Sequence, residues 1–378
     1  MGAMGDYLGK DTPKLGFGMM RLPKLDSGAI DIEQVKEMVD IFMDAGLTYF
    51  DTAYVYDEGA SEIATRQALV ERYPRDAFTV TTKMNAWLGS PTADECKAQF
   101  DISRERLGVD FFDYYLLHAL QQNNAPTYEE YGLWDYVRSL KEEGKVRHWG
   151  FSFHSSPEHL EQLLDAHPDV DFIQLQVNYA DWNNPTVASR RCVEIAQERK
   201  VPFTVMEPVK GGMLANPPRV VRDVFDATGA ELSYAGWAIR YAASIEGVIT
   251  VLSGMSDIAQ VRDNVSYMRD FRPLTADEEE VVQRAREALE EVEQIRCTAC
   301  RYCTEGCPMN IPIPDFFAAM NRKLVFENEA DAKRRYTMAA EKAGVGAADC
   351  IGCGQCEAAC PQALPIIEYL AEVDAALA

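Results

Sequence analysis

From residue 15 to about residue 270, short apolar runs alternate with stretches in which apolar residues recur every three or four positions. Such runs bounded by turn-forming residues predict buried strands, and the three-to-four spacing predicts helices with one core-facing stripe. Val35, Met38, Val39 and Phe42 form one stripe, opened by the capping residue Asp31 and stopped by Gly46. The predicted strands are Leu15–Met20, Leu47–Asp51, Phe78–Lys83, Phe112–His118, Val146–Ser152, Phe172–Val177, Phe203–Met206 and Val248–Ser253. Eight strand–helix units in roughly 260 residues predict an α/β fold of the (β/α)8 TIM-barrel type. A doubly wound open sheet is the competitor, but no GxGxxG follows any predicted strand.

The pattern changes after residue 274. Thr275-Ala-Asp-Glu278 has the form of a capping box, and Val281, Val282, Ala285, Ala288, Leu289 and Val292 supply one apolar stripe. Residues 1–274 are therefore assigned to the barrel, 275–294 to a linking helix and 295–378 to a small C-terminal domain. That last part carries one cysteine motif twice. The first copy is Cys297, Cys300, Cys303 and Cys307 followed by Pro308; the second is Cys350, Cys353, Cys356 and Cys360 followed by Pro361. Three cysteines at two-residue gaps can hold one cubane, while the proline-flanked fourth reaches a neighbouring one. The pair thus predicts two [4Fe–4S] clusters with crossed ligation, one on Cys297, Cys300, Cys303 and Cys360, the other on Cys350, Cys353, Cys356 and Cys307. Helix-like Pro314–Val325 and Glu329–Ala343 fill the spacer between the motifs. That long helical spacer resembles the α-helical ferredoxin, a dicluster ferredoxin-like domain.

Composition narrows the alternatives. Structural zinc would leave half the cysteines and both prolines unexplained. Disulfides would require a secreted chain, and the first residues have neither the basic stretch nor the apolar core of a signal peptide. A cytoplasmic location is expected. Cys96 and Cys192 fall in helical patterns and are expected to be packed. An apolar content of 47% suffices for a large core, with no run long enough to span a bilayer. Net charge is −23; the residues from Ile295 onward hold 11 acidic and 8 basic side chains, leaving −20 before them. Such acidity argues against nucleic acid or anionic membrane as a partner.

Polar residues sit at the predicted strand ends, where a barrel keeps its active site. The pieces are Leu15-Gly-Phe-Gly18, Asp51-Thr-Ala with Tyr56, Lys83, Leu117-His118, Gly150-Phe-Ser152 and Gln176-Val-Asn-Tyr179. Together they resemble the aldo-keto reductase family over roughly residues 14–290, in a subgroup that also carries a dicluster tail. The resemblance implies a catalytic tetrad of Asp51, Tyr56, Lys83 and His118. It implies nicotinamide-cofactor contacts at Gly18, Met19, Ser152, Gln176, Met206, Gly211, Gly212, Ser253, Gly254, Met255, Gln260 and Asn264. Where NADP-preferring relatives carry cations for the extra phosphate, this chain reads Ser253-Gly-Met-Ser256 and then Gln260, so the choice between NADH and NADPH stays open.

The acid–base logic is direct. Hydride reduction of a carbonyl needs a proton donor at the forming alkoxide, and a free phenol is a weak one, with a pKa of ~10. An ammonium from Lys83, held by Asp51, is expected to lower the pKa of Tyr56, with His118 hydrogen-bonding the substrate oxygen. Trp87, Tyr54, Trp182 and the loop Gln121–Asn124 are expected to line the substrate pocket.

Three readings follow. In the first, the protein is an iron–sulfur aldo-keto reductase-like oxidoreductase that reduces a small carbonyl or related substrate with NAD(P)H, its clusters being structural or sensing redox state. In the second, the clusters shuttle electrons between a ferredoxin or flavoprotein partner and a barrel-bound substrate or cofactor. In the third, the barrel is catalytically idle and the chain is an electron-carrying module. The intact tetrad counts against the third.

Overall fold

The computed structural model describes residues 6–86, 92–185, 187–297, 299, 301–360 and 362–378. The chain divides into two compact units, 1–215 with 231–280, and 216–230 with 281–378.

In the first unit eight parallel strands close into a barrel in sequence order. They are β1 Leu15–Gly18, β2 Tyr49–Asp51, β3 Thr79–Met84, β4 Phe112–Leu120, β5 Val146–Phe153, β6 Phe172–Gln176, β7 Phe203–Met206 and β8 Val248–Ser253. β1 closes the barrel on β8, with Phe17 opposite Ser253. Because side chains alternate across a strand, every second residue enters the barrel. Tyr49, Tyr114, Leu116, Phe172, Ile249 and Leu252 form an apolar plug there. One step further along the same faces come Asp51, Lys83, His118, Ser152 and Gln174, all buried. The interior therefore passes from apolar to polar toward the C-terminal ends of the strands. Outward-facing residues such as Phe17, Phe50, Tyr115 and Phe151 pack against the surrounding helices in the main core.

Close approach fixes one glycine. A Cβ at Gly150 would lie 1.8 Å from the carbonyl oxygen of Phe172 on the adjacent strand, so any side chain there would part β5 from β6. The β4–β5 register is broken between Leu117 and Leu120, where Ala119 adopts a left-handed conformation (φ 55°). This irregularity sits beside His118, as bulges near active sites often do.

The second unit has its own core of Ile311, Phe316, Phe317, Ile366, Leu370 and Val373, with Cys303 and Cys356 buried within it. Helices Ile313–Phe326 and Glu329–Ala343 occupy the spacer between the motifs, and Ile366–Leu377 ends the chain. Asn321 pins the approach to the first motif by bonding both the N–H and the carbonyl of Ile295 at 2.8 Å. Among the described residues, no helix is long and apolar enough to cross a membrane. Helix Ala276–Glu290 starts with the expected capping box: Glu278 accepts from the Thr275 N–H at 2.8 Å, and Thr275 Oγ1 from the Glu278 N–H at 3.3 Å.

Candidate active site and cysteine-lined hollows

Asp51, Lys83 and His118 near their strand ends meet Tyr56, on the turn after β2, at the C-terminal mouth of the barrel. Lys83, fully buried, reaches Asp51 Oδ1 at 2.5 Å and the Thr52 carbonyl at 2.7 Å. Its third neighbour is the Tyr56 hydroxyl, 3.4 Å away. Gln174 Nε2 approaches the other Asp51 oxygen at 3.5 Å. The rings of Tyr56 and His118 meet edge to face with centroids 5.6 Å apart.

Electrostatics differ from expectation at one member. Burial opposes a charge on Lys83, but Asp51 and Tyr56 outweigh it and hold the amine above its ordinary pKa. Burial raises Asp51, and Lys83 pulls against that rise. For Tyr56, burial pushes the phenol above the usual tyrosine value and the pull of Lys83 does not reverse it. The expected lowering is therefore corrected: removal of water is the larger effect, and Asp51 adds to it. Burial, with Lys83 and His154 beside it, drives His118 well below the normal histidine range, so the imidazole is neutral.

The turn bearing Tyr56 is strained and pinned from behind. Asp57 (φ 51°) and Glu58 (φ 55°) lie in the left-handed region, and a Cβ on Gly59 would strike the Arg106 guanidinium at 2.5 Å. Arg106 Nη1 donates to the Tyr54 carbonyl at 3.0 Å and to Glu62 Oε2 at 3.2 Å, while Thr82 donates to the fully buried Glu62 at 2.7 Å. Strain of this kind persists only where surroundings over-determine it. Sequence reasoning missed Glu62 and Arg106; a carboxylate on the buried face of helix Ala60–Thr65 was the available signal.

A cleft of about 630 Å³ opens from Asp51 and Tyr56 along the β1, β7 and β8 ends. Of the expected cofactor contacts, Gly18, Met206, Gly211 and Gly212 line it, as do Ser253, Gly254, Met255, Gln260 and Asn264. Three do not. Met19 is buried, its carbonyl accepting from Ser61 at 2.8 Å. Ser152 accepts from the Ala119 N–H at 2.7 Å, which ties it to the β4 irregularity. Gln176 borders a smaller cavity with His154 and Cys192. Arg21 was not anticipated; among the described residues it is the one Lys or Arg lining the cleft, against Asp51, Glu207, Asp257 and Asp263. Arg21 pairs with Glu207 at 3.4 Å. Gln260 is folded onto its own helix, its Nε2 3.0 Å from Asp257 and its Oε1 accepting from the Ser256 N–H at 2.8 Å.

Trp87 lies outside the described residues. The other expected pocket residues do not line the cleft: Tyr54 lies under the Arg106 guanidinium, Trp182 packs edge-on against Tyr241, and Asn124 bonds the Gln121 N–H and Ala119 carbonyl. Cys96 and Cys192 are buried in barrel helices.

In the C-terminal unit the thiols sort into two groups. Cys297, Cys303 and Cys360 border one hollow; Cys307, Cys350, Cys353 and Cys356 border another. Cys300 lies outside the described residues. Among the described cysteines none forms a disulfide. No group of three or more described His, Cys, Asp or Glu side chains closes on a single-ion site. Apart from the thiols, the second hollow is walled by apolar residues and the first also by Arg301 and Gln362. Soft sulfur donors in apolar surroundings fit an iron–sulfur cluster.

A closed parallel barrel with a buried Lys–Asp–Tyr group beneath a long cleft defines a protein of the (β/α)8 class with its polar site at the C-terminal mouth. The aldo/keto reductase family model matches residues 14–287, and a 4Fe-4S dicluster domain model matches residues 296–364. The chain thus belongs to the aldo/keto reductase family and carries a 4Fe–4S dicluster domain at its C-terminal end. It is 29% identical over 204 residues to the 9,11-endoperoxide prostaglandin H2 reductase of Trypanosoma cruzi, covering 53% of this chain and 63% of that protein. An uncharacterized oxidoreductase of Bacillus subtilis, YqkF, is 24% identical over 304 residues, covering 72% and 92%. Among solved structures, the aldo-keto reductase AKR11C1 of Bacillus halodurans superposes with a TM-score of 0.59 at 25% identity, covering 72% of this chain and 91% of its own. An aldo/keto reductase of Klebsiella pneumoniae, solved with NADP and acetate, gives 0.58 at 21% identity over 72% and 91%.

Proposed function

We propose that the protein reduces a small carbonyl substrate with a nicotinamide dinucleotide and that Tyr56 is the general acid. The observation that carries this reading is the Lys83 amine, buried between the Asp51 carboxylate and the Tyr56 phenol at the floor of the cleft. NAD(P)H bound in the cleft would supply the hydride for the carbonyl carbon. Tyr56 gives its proton to the carbonyl oxygen as charge develops there, and the product is the alcohol. The charged Lys83 stabilises the phenolate left behind, and Asp51 keeps that amine protonated. Neutral His118 donates a hydrogen bond to the same oxygen. An aldo/keto reductase of the same fold from Klebsiella pneumoniae was solved with NADP, which is in keeping with a dinucleotide as the cofactor.

In the tail, one [4Fe–4S] cluster would rest on Cys297, Cys300, Cys303 and Cys360 and a second on Cys307, Cys350, Cys353 and Cys356, each supplying one-electron chemistry. The grouping of thiols around two hollows supports this crossed arrangement. It also keeps a second reading, electron exchange with a ferredoxin or flavoprotein, because clusters held there could carry single electrons as well as brace the tail.

One comparison separates the two. Under the first reading, Tyr56→Phe lowers NAD(P)H-linked aldehyde reduction by at least about 100-fold while nucleotide binding survives, and Cys303→Ser or Cys356→Ser leaves that reduction intact in folded protein. Under the second, the cysteine substitutions stop turnover with an electron-carrier partner. Unchanged reduction by Tyr56→Phe would remove Tyr56 from the chemistry.

A further inference from the structure

A fully buried carboxylate lies behind the cleft, unused by the proton and hydride transfers. Asp181 ends the short turn Tyr179–Asp181 that follows β6 and has no exposed surface. Asn178 caps this turn, its Oδ1 accepting from the Asp181 N–H at 2.8 Å. The Asn178 amide donates to Asp181 Oδ2 at 2.9 Å and to the Glu207 carbonyl at 3.1 Å. Gln176 Nε2 stands 3.4 Å from the same oxygen, and the Lys210 ammonium is ion-paired with Oδ1. One carboxylate thus holds both the end of β6 and the segment after β7.

That segment, residues 207–212, forms one side of the cleft through Glu207, Pro208, Val209, Gly211 and Gly212. Its backbone is unusual. Glu207 (φ 58°), Lys210 (φ 51°), Gly211 (φ 67°) and Gly212 (φ 94°) are all left-handed, a region that side chains other than glycine avoid. Two internal turns, Lys210 N–H to the Glu207 carbonyl at 3.0 Å and Gly212 N–H to the Val209 carbonyl at 3.1 Å, shape it locally. Those bonds would move with the segment and do not hold it in place. The buried tie to the barrel is Lys210 and the Glu207 carbonyl, both ending at the Asp181–Asn178 pair; the Glu207 side chain adds only a solvent-accessible ion pair with Arg21 at 3.4 Å. A buried carboxylate stripped of its cation is strongly disfavoured, so displacement of the strap is opposed by the charge it would leave behind.

We propose that Asp181 is a positioning residue of the cleft, latching the strap 207–212 to the end of β6 through Lys210 and Asn178 and thereby setting how fast a bound dinucleotide leaves. This rests on the dinucleotide reading above. The test is stopped-flow measurement of NADH and NADPH dissociation from cluster-replete, full-length protein, with thermal unfolding run in parallel. Asp181→Asn is expected to speed release of the nucleotide that the wild type holds by roughly tenfold, with a smaller effect on the rate at saturating nucleotide, because loss of a buried charge pair acts mainly on dissociation. If Asp181→Asn fails to fold, Asp181→Asn/Lys210→Gln replaces the ion pair with two neutral amides and carries the same expectation. A lowered unfolding temperature with unchanged release would make Asp181 structural only and overturn the proposal. Absence of binding by the wild type would instead overturn the dinucleotide reading.

Discussion

Two opposing influences act on the phenol of Tyr56: loss of water, which favours the neutral form, and the Lys83 ammonium, which favours the anion. Loss of water is the larger. The consequence is a pH profile. A donor must be protonated to act, so the reduction rate at saturating substrate should be level through neutral pH and fall only as pH rises through the elevated tyrosine pKa, above the ordinary ~10. On the acid side His118 stays neutral until well below its usual ~6.5. A rate that fell between these limits, in a profile recorded at constant ionic strength, would contradict the assignment. The meeting of these four side chains was legible because Asp51, Lys83 and His118 lie at or near strand ends and Tyr56 sits on the turn that follows one of them. The direction of the Tyr56 shift was not, because it depends on how completely the fold removes water. Asp181 with Lys210, and Glu62 with Arg106, were also illegible: partners 29 and 44 positions apart leave no local period.

At the level of elements, the apolar runs marked all eight strands because each is bordered by turns and buried on both faces, the ordinary condition of parallel sheets. Strand lengths shifted by a few residues, and the left-handed turn after Tyr56 had no sequence sign beyond Gly59. That turn is held through Arg106, which bridges the Tyr54 carbonyl and buried Glu62. Arg106→Leu would leave Glu62 without its cation in a water-free site. It should lower unfolding stability by about 3 kcal/mol, measured by urea denaturation, and weaken catalysis through a displaced Tyr56. The stability loss should shrink when Glu62→Gln is added, since the uncompensated charge is then gone.

For the whole molecule, the sequence divided the chain at residue 274, whereas the compact units join 216–230 to the C-terminal part. Nothing in the local pattern of those residues announces it, because the grouping arises from contacts distant in sequence. Cys303 and Cys356 are buried in the second unit's core, so that core includes the groups which would hold metal. Oxidation or chelation of the clusters should therefore expose the amides of 313–326 and 366–377 to hydrogen exchange, while β1–β8 stay protected. Equal protection before and after metal loss would show that the tail's apolar packing is self-sufficient. Ile313, the first residue of its helix, borders both thiol-lined hollows. A single aliphatic side chain is thus a party wall, and each cysteine run also lends its last member to the opposite chamber. The duplicated motif consequently cannot be pared down to one working half: damage on either side reaches the other through shared masonry.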